Sequence, residues 1–366
     1  MLDPLKFAKK GLIGLPPYVP GKPIEEVKRE LGLEHVTKLA SNENPLGPSP
    51  MAVKAMGEEL LNQNQYPEPG APELKAKLAS KLGITPEMLF LSNGGDNVIS
   101  CAMHSMINPG EKVILADISF PTYERAAAIA GAVVVKVPLR NFRYDLSAMR
   151  REVDQNTKMV VVCNPNNPTG LLTDADEMRA FRESLPEEVV LFVDEAYYEF
   201  VEAPDRYDTI DAIKNGLPVI ALRTFSKLYG LAGLRLGYAI APKELISVME
   251  IVREPFSASR IAQAAAIAAL EDGEFVRQSL RLVREGRRYL EAEFRRLKLD
   301  YLPTQSNFFW VRTGVDSREL FQQLLRMGVI IRPGYLWGCP EYIRVTIGTQ
   351  PQNEHFISAL EKVLSR

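Results

Sequence analysis

The chain has 366 residues, of which 46% are hydrophobic and 25% are charged, and its formal net charge is −2. This length suggests two domains, or one large domain with a smaller partner, and enough apolar residues for a substantial core. Because the charges nearly balance, no general field attracts nucleic acid or an anionic membrane, and we expect neither as a partner. A local basic site for a small anion remains compatible with this composition.

Signals for export, membrane insertion and metal binding are weak. The first ten residues lack the apolar core of a signal peptide, and no stretch approaches the roughly 18 uninterrupted apolar residues of a membrane-spanning helix. Cys101, Cys163 and Cys339 are scattered, which is typical of reduced thiols and not of a disulfide framework or a zinc site. The histidines are also far apart, so we expect no metal. The sequence therefore predicts a cytoplasmic protein.

The first 41 residues are expected to form an N-terminal arm and part of a small domain. They begin irregularly, with a proline-rich extended stretch at Leu15–Pro23, and continue into a short amphipathic helix at Ile24–Leu31. The polar, turn-rich segment Lys38–Pro50 predicts the entry into a large domain, which we place at residues 42–245.

Within the predicted large domain, strands and helices alternate from residue 88 onward, which is typical of a mainly parallel α/β sheet. Several strands are continuous runs of Val, Ile and Leu, as expected for strands covered on both faces. Seven strands are predicted, at Leu89–Ser92, Lys112–Ala116, Ala132–Val137, Met159–Cys163, Val189–Val193, Val219–Leu222 and Gly237–Ile240. Helices are predicted at 50–61, 72–82, 96–107, 121–130, 145–152 and 174–184.

The pattern changes after residue 245, and residues 246–366 predict a smaller α+β domain. The long, arginine-rich helix in this region favours a solvated helix face over a nucleic-acid surface. Helices are predicted at 261–271, 275–297 and 352–364, and short strands near 306–311, 329–331 and 342–347.

The most informative stretch is Leu222–Gly237. Lys227 lies here among the hydroxyl-bearing residues Thr224 and Ser226, and Arg235 follows eight positions later, between glycines. A lysine with a lowered ammonium population can attack a carbonyl group to form a Schiff base. An arginine near hydroxyl groups can bind a phosphate with its planar set of donors. These properties match pyridoxal phosphate, although the pattern alone is equally compatible with surface charges beside a glycine loop.

Polar residues also follow three earlier strands. Ser92–Asp96 opens a helix with two glycines, an arrangement that suits an anion but also occurs in ordinary α/β turns. Tyr123 is placed to stack on a flat heterocycle or to pack a helix start. Asn167 lies in a loop rich in proline and could donate a hydrogen bond to a phenolate oxygen, or serve a structural turn.

Charged residues at two further strands complete the candidates. Asp194 ends a buried strand, where it could pair with a protonated pyridine nitrogen, and Tyr197 follows three positions later. A magnesium-binding aspartate of a nucleotide hydrolase would require a Walker A loop, which the sequence lacks. Arg344 alternates with apolar residues on a predicted strand and is a better candidate than Arg332 for clamping a carboxylate or phosphate.

Taken in order, these segments closely resemble the fold-type I pyridoxal-phosphate-dependent aminotransferases of class I and II, over nearly the whole chain. Within that group the chain is most similar to the histidinol-phosphate aminotransferases, in the strings Pro17–Lys22, Leu39–Pro50, Asn64–Pro67 and Gly230–Arg235. The resemblance implies transfer of an amino group between histidinol phosphate (a phosphorylated amino alcohol) and glutamate or 2-oxoglutarate in histidine biosynthesis. It also implies a homodimer with shared active sites.

The same resemblance implies a role for each candidate residue. Lys227 would bind the cofactor covalently and then transfer the substrate proton, while Asp194 would keep the ring nitrogen protonated. Tyr123 would stack on the ring, and Asn167 and Tyr197 would bind the ring oxygen. The phosphate would be bound by Gly95, Asp96, Thr224, Ser226 and Arg235, and by Tyr66 from the neighbouring subunit. The substrate anions would be bound by Tyr18, Asn167, Arg332 and Arg344.

Two departures from the family pattern leave the substrate open. Pro255–Arg260 replaces the usual string at that position, and Pro333–Tyr342 is unusually aromatic. An aromatic-amino-acid aminotransferase is therefore the first alternative. The second is threonine-phosphate decarboxylase, a lyase on the same scaffold that needs no oxo-acid acceptor.

Overall fold

The computed structural model describes residue 3, residues 6–15, residue 17 and residues 21–365. The helices in this part of the chain are α1 (Ile24–Leu31), α2 (Pro50–Glu59), α3 (Pro72–Leu82), α4 (Gly95–Met106), α5 (Thr122–Ala130), α6 (Leu146–Arg151), α7 (Ala175–Ser184), α8 (Thr209–Lys214), α9 (Lys243–Ile251), α10 (Arg260–Glu271), α11 (Gly273–Arg296), α12 (Ser317–Arg326) and α13 (Gln350–Leu364). The strands are β1 (Thr37–Lys38), β2 (Leu89–Ser92), β3 (Lys112–Ala116), β4 (Val133–Val137), β5 (Thr157–Cys163), β6 (Val190–Asp194), β7 (Val219–Thr224), β8 (Gly237–Ile240), β9 (Asp300–Tyr301), β10 (Phe308–Arg312), β11 (Val329–Ile330), β12 (Arg332–Pro333) and β13 (Tyr342–Thr346).

A seven-stranded sheet forms the centre of the described structure, in the order β2-β8-β7-β6-β5-β3-β4. The strands from β3 to β7 are mutually parallel, whereas β8 is antiparallel to both of its neighbours. Every residue of β6 and β7 is buried, because helices cover both faces of the sheet. The predicted α/β fold with a mainly parallel seven-stranded sheet is confirmed.

The C-terminal residues form a smaller α+β unit around an antiparallel sheet of order β12-β13-β10-β9. The strand β1 pairs in parallel with β11, so that residues 37–38 join the C-terminal unit. The exact division at residues 42 and 246 stays a prediction.

Three helices were not predicted from the sequence. The helix α8 has six residues, which is too short for a periodic signal, and α9 begins before residue 245 and crosses the expected domain boundary. The helix α12 carries its buried residues Leu320, Leu324 and Leu325 at helical spacing. That spacing is a signal from which α12 could have been identified.

Among the described residues, no helix combines the length and the apolar character needed to cross a lipid bilayer.

We expect the substitution Gly230→Ala to destabilise the fold. Gly230 has a φ of 69°, and a Cβ atom there would overlap the carbonyl oxygen of Gly47. The left-handed backbone alone should lower the free energy of unfolding by at least about 1–2 kcal/mol, measured by urea denaturation. Gly233→Ala is the matched control, because no atom lies within 4 Å of its added Cβ. Equal losses in the two variants would contradict this explanation.

Candidate active site

A cavity of about 400 Å³ opens at the carboxyl ends of β5, β6 and β7 and is bounded on its other side by residues of the C-terminal unit. In α/β proteins this edge of the sheet is the usual place for a ligand. The sequence-predicted residues that line the cavity are Gly95, Asp96, Asn167, Asp194, Tyr197, Thr224, Ser226, Lys227, Arg235, Arg332 and Arg344. The fold thus brings together residues that are up to 249 positions apart, from Gly95 to Arg344.

Lys227 lies in the turn that follows β7, and its amine is partly buried in the cavity wall. The Nζ atom donates a hydrogen bond to the carbonyl oxygen of Ser41, at 3.0 Å. Burial lowers the pKa of Lys227 to about 8, and the nearby charge of Arg344 contributes to the lowering. Most of this amine is still protonated at pH 7, but its neutral, nucleophilic fraction is much larger than that of an exposed lysine.

Asp194 is the last residue of β6, and its carboxyl group is 4% exposed. It accepts hydrogen bonds from the Tyr123 hydroxyl at 2.5 Å and from the Ala196 amide at 2.9 Å. Burial raises the pKa of Asp194 to about 6, and the bond from Tyr123 opposes this rise. A carboxylate held in this way can pair with a protonated ring nitrogen.

The structure does not place Tyr123 where a stacking residue would lie. Its ring is only 1% exposed, and it reaches behind Asp194 instead of lining the cavity. Phe120 lines the cavity, with its ring nearly perpendicular to that of Tyr123 and 5.7 Å from it. The predicted stacking role therefore needs correction at this position, and Phe120 is the aromatic residue placed for it. The sequence places both rings beside one helix start, and only packing decides which of them faces the ligand.

Two glycines keep open a concave site beside the first turn of α4. A Cβ atom on Gly94 would lie 2.7 Å from Arg235 Nη2, and one on Gly237 would lie 2.7 Å from the amide nitrogen of Gly95. Arg235 Nη2 lies 3.4 Å from Asp96 Oδ2, which holds the guanidinium group over this site. The site thus combines a helix N-terminus with a guanidinium group, and side chains at these glycines would clash with the atoms that form it.

Two hydroxyl groups complete the donors of this site. Thr224 Oγ1 lies 3.0 Å from Ser226 Oγ and accepts a hydrogen bond from the Ser226 amide, also at 3.0 Å. Free amides at a helix start, hydroxyl groups and an arginine are the donors that a phosphate group requires. The residues present therefore fit the phosphate of the cofactor that the family resemblance implies.

Tyr197 and Asn167 approach the cavity from two adjacent loops. The Tyr197 hydroxyl accepts a hydrogen bond from Asn42 Nδ2 at 2.9 Å, and burial raises the pKa of Tyr197. Asn167 Oδ1 accepts a hydrogen bond from Arg344 Nη1 at 2.6 Å. This bond orients the Asn167 amide, whose NH₂ group is then the end that can donate to a ring oxygen.

Asn42 is a cavity residue to which the sequence analysis assigned no role. Its backbone has a φ of 55°, and its backbone amide nitrogen donates a hydrogen bond to Thr346 Oγ1 at 3.0 Å. Asn307 Nδ2 donates to the Asn42 carbonyl oxygen at 3.1 Å. Asn42 thus links Tyr197 to β13 and to the residue before β10. These contacts span large sequence separations, so no local pattern predicts them.

Arg332 and Arg344 lie opposite each other on the paired strands β12 and β13, and both line the cavity. They are 8% and 6% exposed, respectively. Arg344 Nη2 also donates to the carbonyl oxygen of Ala40, at 2.5 Å. Two nearly buried guanidinium groups at one end of a cavity suit an anionic part of a ligand.

Two predicted residues, Tyr18 and Tyr66, remain. Tyr18 lies outside the described residues. Tyr66 is 76% exposed, and its ring stacks on that of Phe256 at 4.3 Å. Any role of Tyr66 at an active site therefore depends on a second copy of the chain.

The unusual aromatic segment after Arg332 packs against protein and does not line the cavity. Tyr342 stacks on Trp310, and Trp337 meets the edge of the same ring. An aromatic pocket for substrate is therefore not formed by Tyr335, Trp337 and Tyr342.

Comparison with known proteins agrees with this geometry. The model of the family "Aminotransferase class I and II" matches residues 34–360. The chain is 47% identical to the histidinol-phosphate aminotransferase of Moorella thermoacetica, with 98% of this chain and 93% of that protein covered. It is 43% identical to histidinol-phosphate aminotransferase 2 of Carboxydothermus hydrogenoformans, with 98% and 99% covered.

A solved structure gives the same result. The histidinol-phosphate aminotransferase of Sinorhizobium meliloti, in complex with pyridoxal 5′-phosphate, superposes with a TM-score of 0.90 at 28% identity. The match covers 98% of this chain and 97% of that chain. The chain therefore belongs to the class I and II aminotransferase family and, within it, to the histidinol-phosphate aminotransferases.

Proposed function

We propose that this chain uses pyridoxal phosphate to transfer an amino group between histidinol phosphate and 2-oxoglutarate, a step of histidine biosynthesis. One observation carries the proposal: the Lys227 amine, with its pKa lowered to about 8, shares a cavity with Asp194 and two nearly buried arginines. When bound, the cofactor supplies an electron-withdrawing ring that stabilises negative charge on the substrate carbon.

The proposed work of the protein residues follows from their positions. Lys227 Nζ would hold the cofactor and, once released, would take the proton from the substrate carbon. Asp194 would keep the ring nitrogen protonated. Burial weakens it as an anion by raising its pKa to about 6, and the hydrogen bond from the Tyr123 hydroxyl limits this rise. Phe120, in place of Tyr123, packs on the ring face.

The polar groups around the ring have separate proposed roles. Asn167 and Tyr197 bind the ring oxygen, because both lie between β5, β6 and the C-terminal unit at the cavity wall. The phosphate-binding residues are Gly95, Asp96, Thr224, Ser226 and Arg235. They fit a phosphate because they combine the N-terminus of α4 with hydroxyl groups and a guanidinium group, as described above.

Arg332 and Arg344 are proposed to bind the anionic end of each substrate in turn. Histidinol phosphate presents a phosphate and glutamate presents a carboxylate, and a planar guanidinium group donates well to either. Tyr18 is proposed to assist, as the family resemblance implies. The cytoplasm likewise stays the predicted location.

The alternatives have less support. The aromatic side chains that favoured an aromatic-amino-acid aminotransferase do not line the cavity, and two of them, Trp337 and Tyr342, pack against Trp310. The full-length relatives are named aminotransferases, which disfavours the decarboxylase.

The substrate assignment is tested by the ratio of kcat/KM for histidinol phosphate to that for phenylalanine, each with 2-oxoglutarate. We expect a large excess for histidinol phosphate, because the cavity offers paired arginines and is not lined by the aromatic residues Tyr335, Trp337 and Tyr342. Glutamate formation must accompany turnover, which separates a transferase from a lyase. A ratio near or below one would contradict the proposal and favour an aromatic substrate.

We further propose an obligatory homodimer in which Tyr66 of one subunit completes the phosphate site of the other. Tyr66 and Phe256 are exposed as a stacked pair, and Leu61 and Ile251 expose large apolar side chains, at 91% and 81%. Exposed apolar residues of this size are typical of surfaces that bind a partner.

Hybrid dimers test this sharing of sites. Lys227→Ala and Tyr66→Ala homodimers should each be impaired. Co-expression should restore part of the activity, because one site of the hybrid then has both wild-type side chains. The controls are samples in which each variant is expressed alone. Failure of the mixture to exceed both controls, with hybrids present, would contradict a shared site.

A further inference from the structure

The segment between the two substrate-facing arginines contains a tightly packed aromatic group. The residues Gly334–Trp337 form a short 3-10 helix after β12. The Trp337 ring meets the Trp310 ring edge-on, with centroids 5.6 Å apart, and Trp310 stacks on Tyr342 at 5.4 Å. Trp310 is fully buried in β10, so it gives Trp337 a rigid support.

Trp337 contacts both sides of the active-site cavity without lining it. Its Nε1 atom donates a hydrogen bond to the carbonyl oxygen of Ser119, at 2.9 Å. Ser119 directly precedes Phe120, the aromatic residue of the cavity wall. On its other side, the Trp337 ring centre lies 5.5 Å from the guanidinium carbon of Arg344.

These contacts belong to a closed series of interactions that passes through the site. Ser119 Oγ donates to Asn166 Oδ1 at 2.9 Å, and the next residue, Asn167, accepts from Arg344 Nη1 at 2.6 Å. Arg344 then returns to Trp337 through the cation–π contact. Trp337 connects the C-terminal unit to the loop after β3. Its loss would remove two contacts of this series, the hydrogen bond to Ser119 and the cation–π contact with Arg344.

We propose that Trp337 is a positioning residue, which orients the Arg344 guanidinium group and sets its distance from the Phe120 wall. The inference rests on the proposed function, because it takes Arg344 as the group that binds the substrate anion. A cation–π contact restricts the guanidinium plane before ligand arrives, so less conformational freedom is lost on binding. The hydrogen bond from Trp337 to the Ser119 carbonyl oxygen fixes where the guanidinium plane lies relative to the Phe120 side of the cavity.

The test measures the dissociation constant of the holoenzyme for glutarate, an unreactive dicarboxylate, in Trp337→Phe and Trp337→Leu. The Leu variant loses both the hydrogen bond and the aromatic face, and we expect roughly tenfold weaker glutarate binding. The Phe variant keeps an aromatic face and should be intermediate. The KM for histidinol phosphate and for 2-oxoglutarate should rise in parallel, with smaller changes in kcat and no change in pyridoxal phosphate affinity.

Tyr342→Phe is the matched control, because it keeps the ring that stacks on Trp310 and should leave glutarate binding unchanged. Unchanged glutarate affinity in both Trp337 variants would overturn the proposal. So would a loss of cofactor affinity equal to the loss of glutarate affinity, because that result indicates a general structural role.

A second measurement covers the case in which Trp337→Leu does not fold. The chain has two tryptophans, so Trp337 is the sole indole emitter in Trp310→Phe. Glutarate should change its emission, because the anion engages the guanidinium group beside it. Emission that glutarate leaves unchanged would overturn the proposal.

The experiments distinguish a wrong substrate assignment from a wrong role for Trp337. An enzyme that does not transaminate histidinol phosphate but binds glutarate in a Trp337-dependent way would contradict the proposed substrate and support the positioning role. Efficient turnover of histidinol phosphate, with glutarate binding that does not depend on Trp337, would support the proposed substrate and contradict the positioning role.

Discussion

The burial of one amine, Lys227 Nζ, is the constraint on which the rest of the site depends. An ammonium group removed from water and placed near the charge of Arg344 is disfavoured, which lowers the pKa of Lys227 to about 8. Its hydrogen bond to the Ser41 carbonyl satisfies one donor of the amine. The surrounding fold therefore keeps a nucleophile ready at a pH where an exposed lysine would be almost fully protonated.

Two different kinds of sheet place the groups around this amine. The parallel strands β5, β6 and β7 end at the same edge, with Cys163 beside Asp194 and Asp194 beside Leu222 in register, so the cofactor-facing residues need only short loops. The arginines come instead from an antiparallel sheet, in which Arg332 and Arg344 are direct partners. The proposed roles follow this arrangement. The unit with the parallel strands binds the cofactor, and the unit with the antiparallel sheet binds the substrate anion.

The sequence predicts well those features that depend on local pattern. The bounds of β2, β3 and β8 agree with the predicted strands, because buried runs flanked by turn residues leave few alternatives. Lys227 and Asp194 are also candidates from sequence, since Lys227 follows a buried strand and Asp194 ends one, each within a short motif. Their proximity to each other follows from the parallel topology.

Features that depend on packing could not be predicted in the same way. The choice between Phe120 and Tyr123 is decided by which face of the α5 start turns inward, and Tyr123 turns towards Asp194. Asn42 and Trp337 act through contacts with residues far along the chain. The aromatic segment around Trp337 suggested a substrate pocket in sequence, whereas in the structure Trp337 and Tyr342 pack against Trp310.

The measurement that tests this account most directly is the pH dependence of cofactor capture by Lys227. The apoenzyme is mixed with pyridoxal phosphate over a pH series, the adduct is reduced with borohydride, and the labelled peptide is quantified by mass spectrometry. We expect the label on Lys227, with a rate that levels off above a midpoint near pH 8, and a higher midpoint in Arg344→Gln. A label on another lysine, or a midpoint near 10.5 that does not depend on Arg344, would contradict the account.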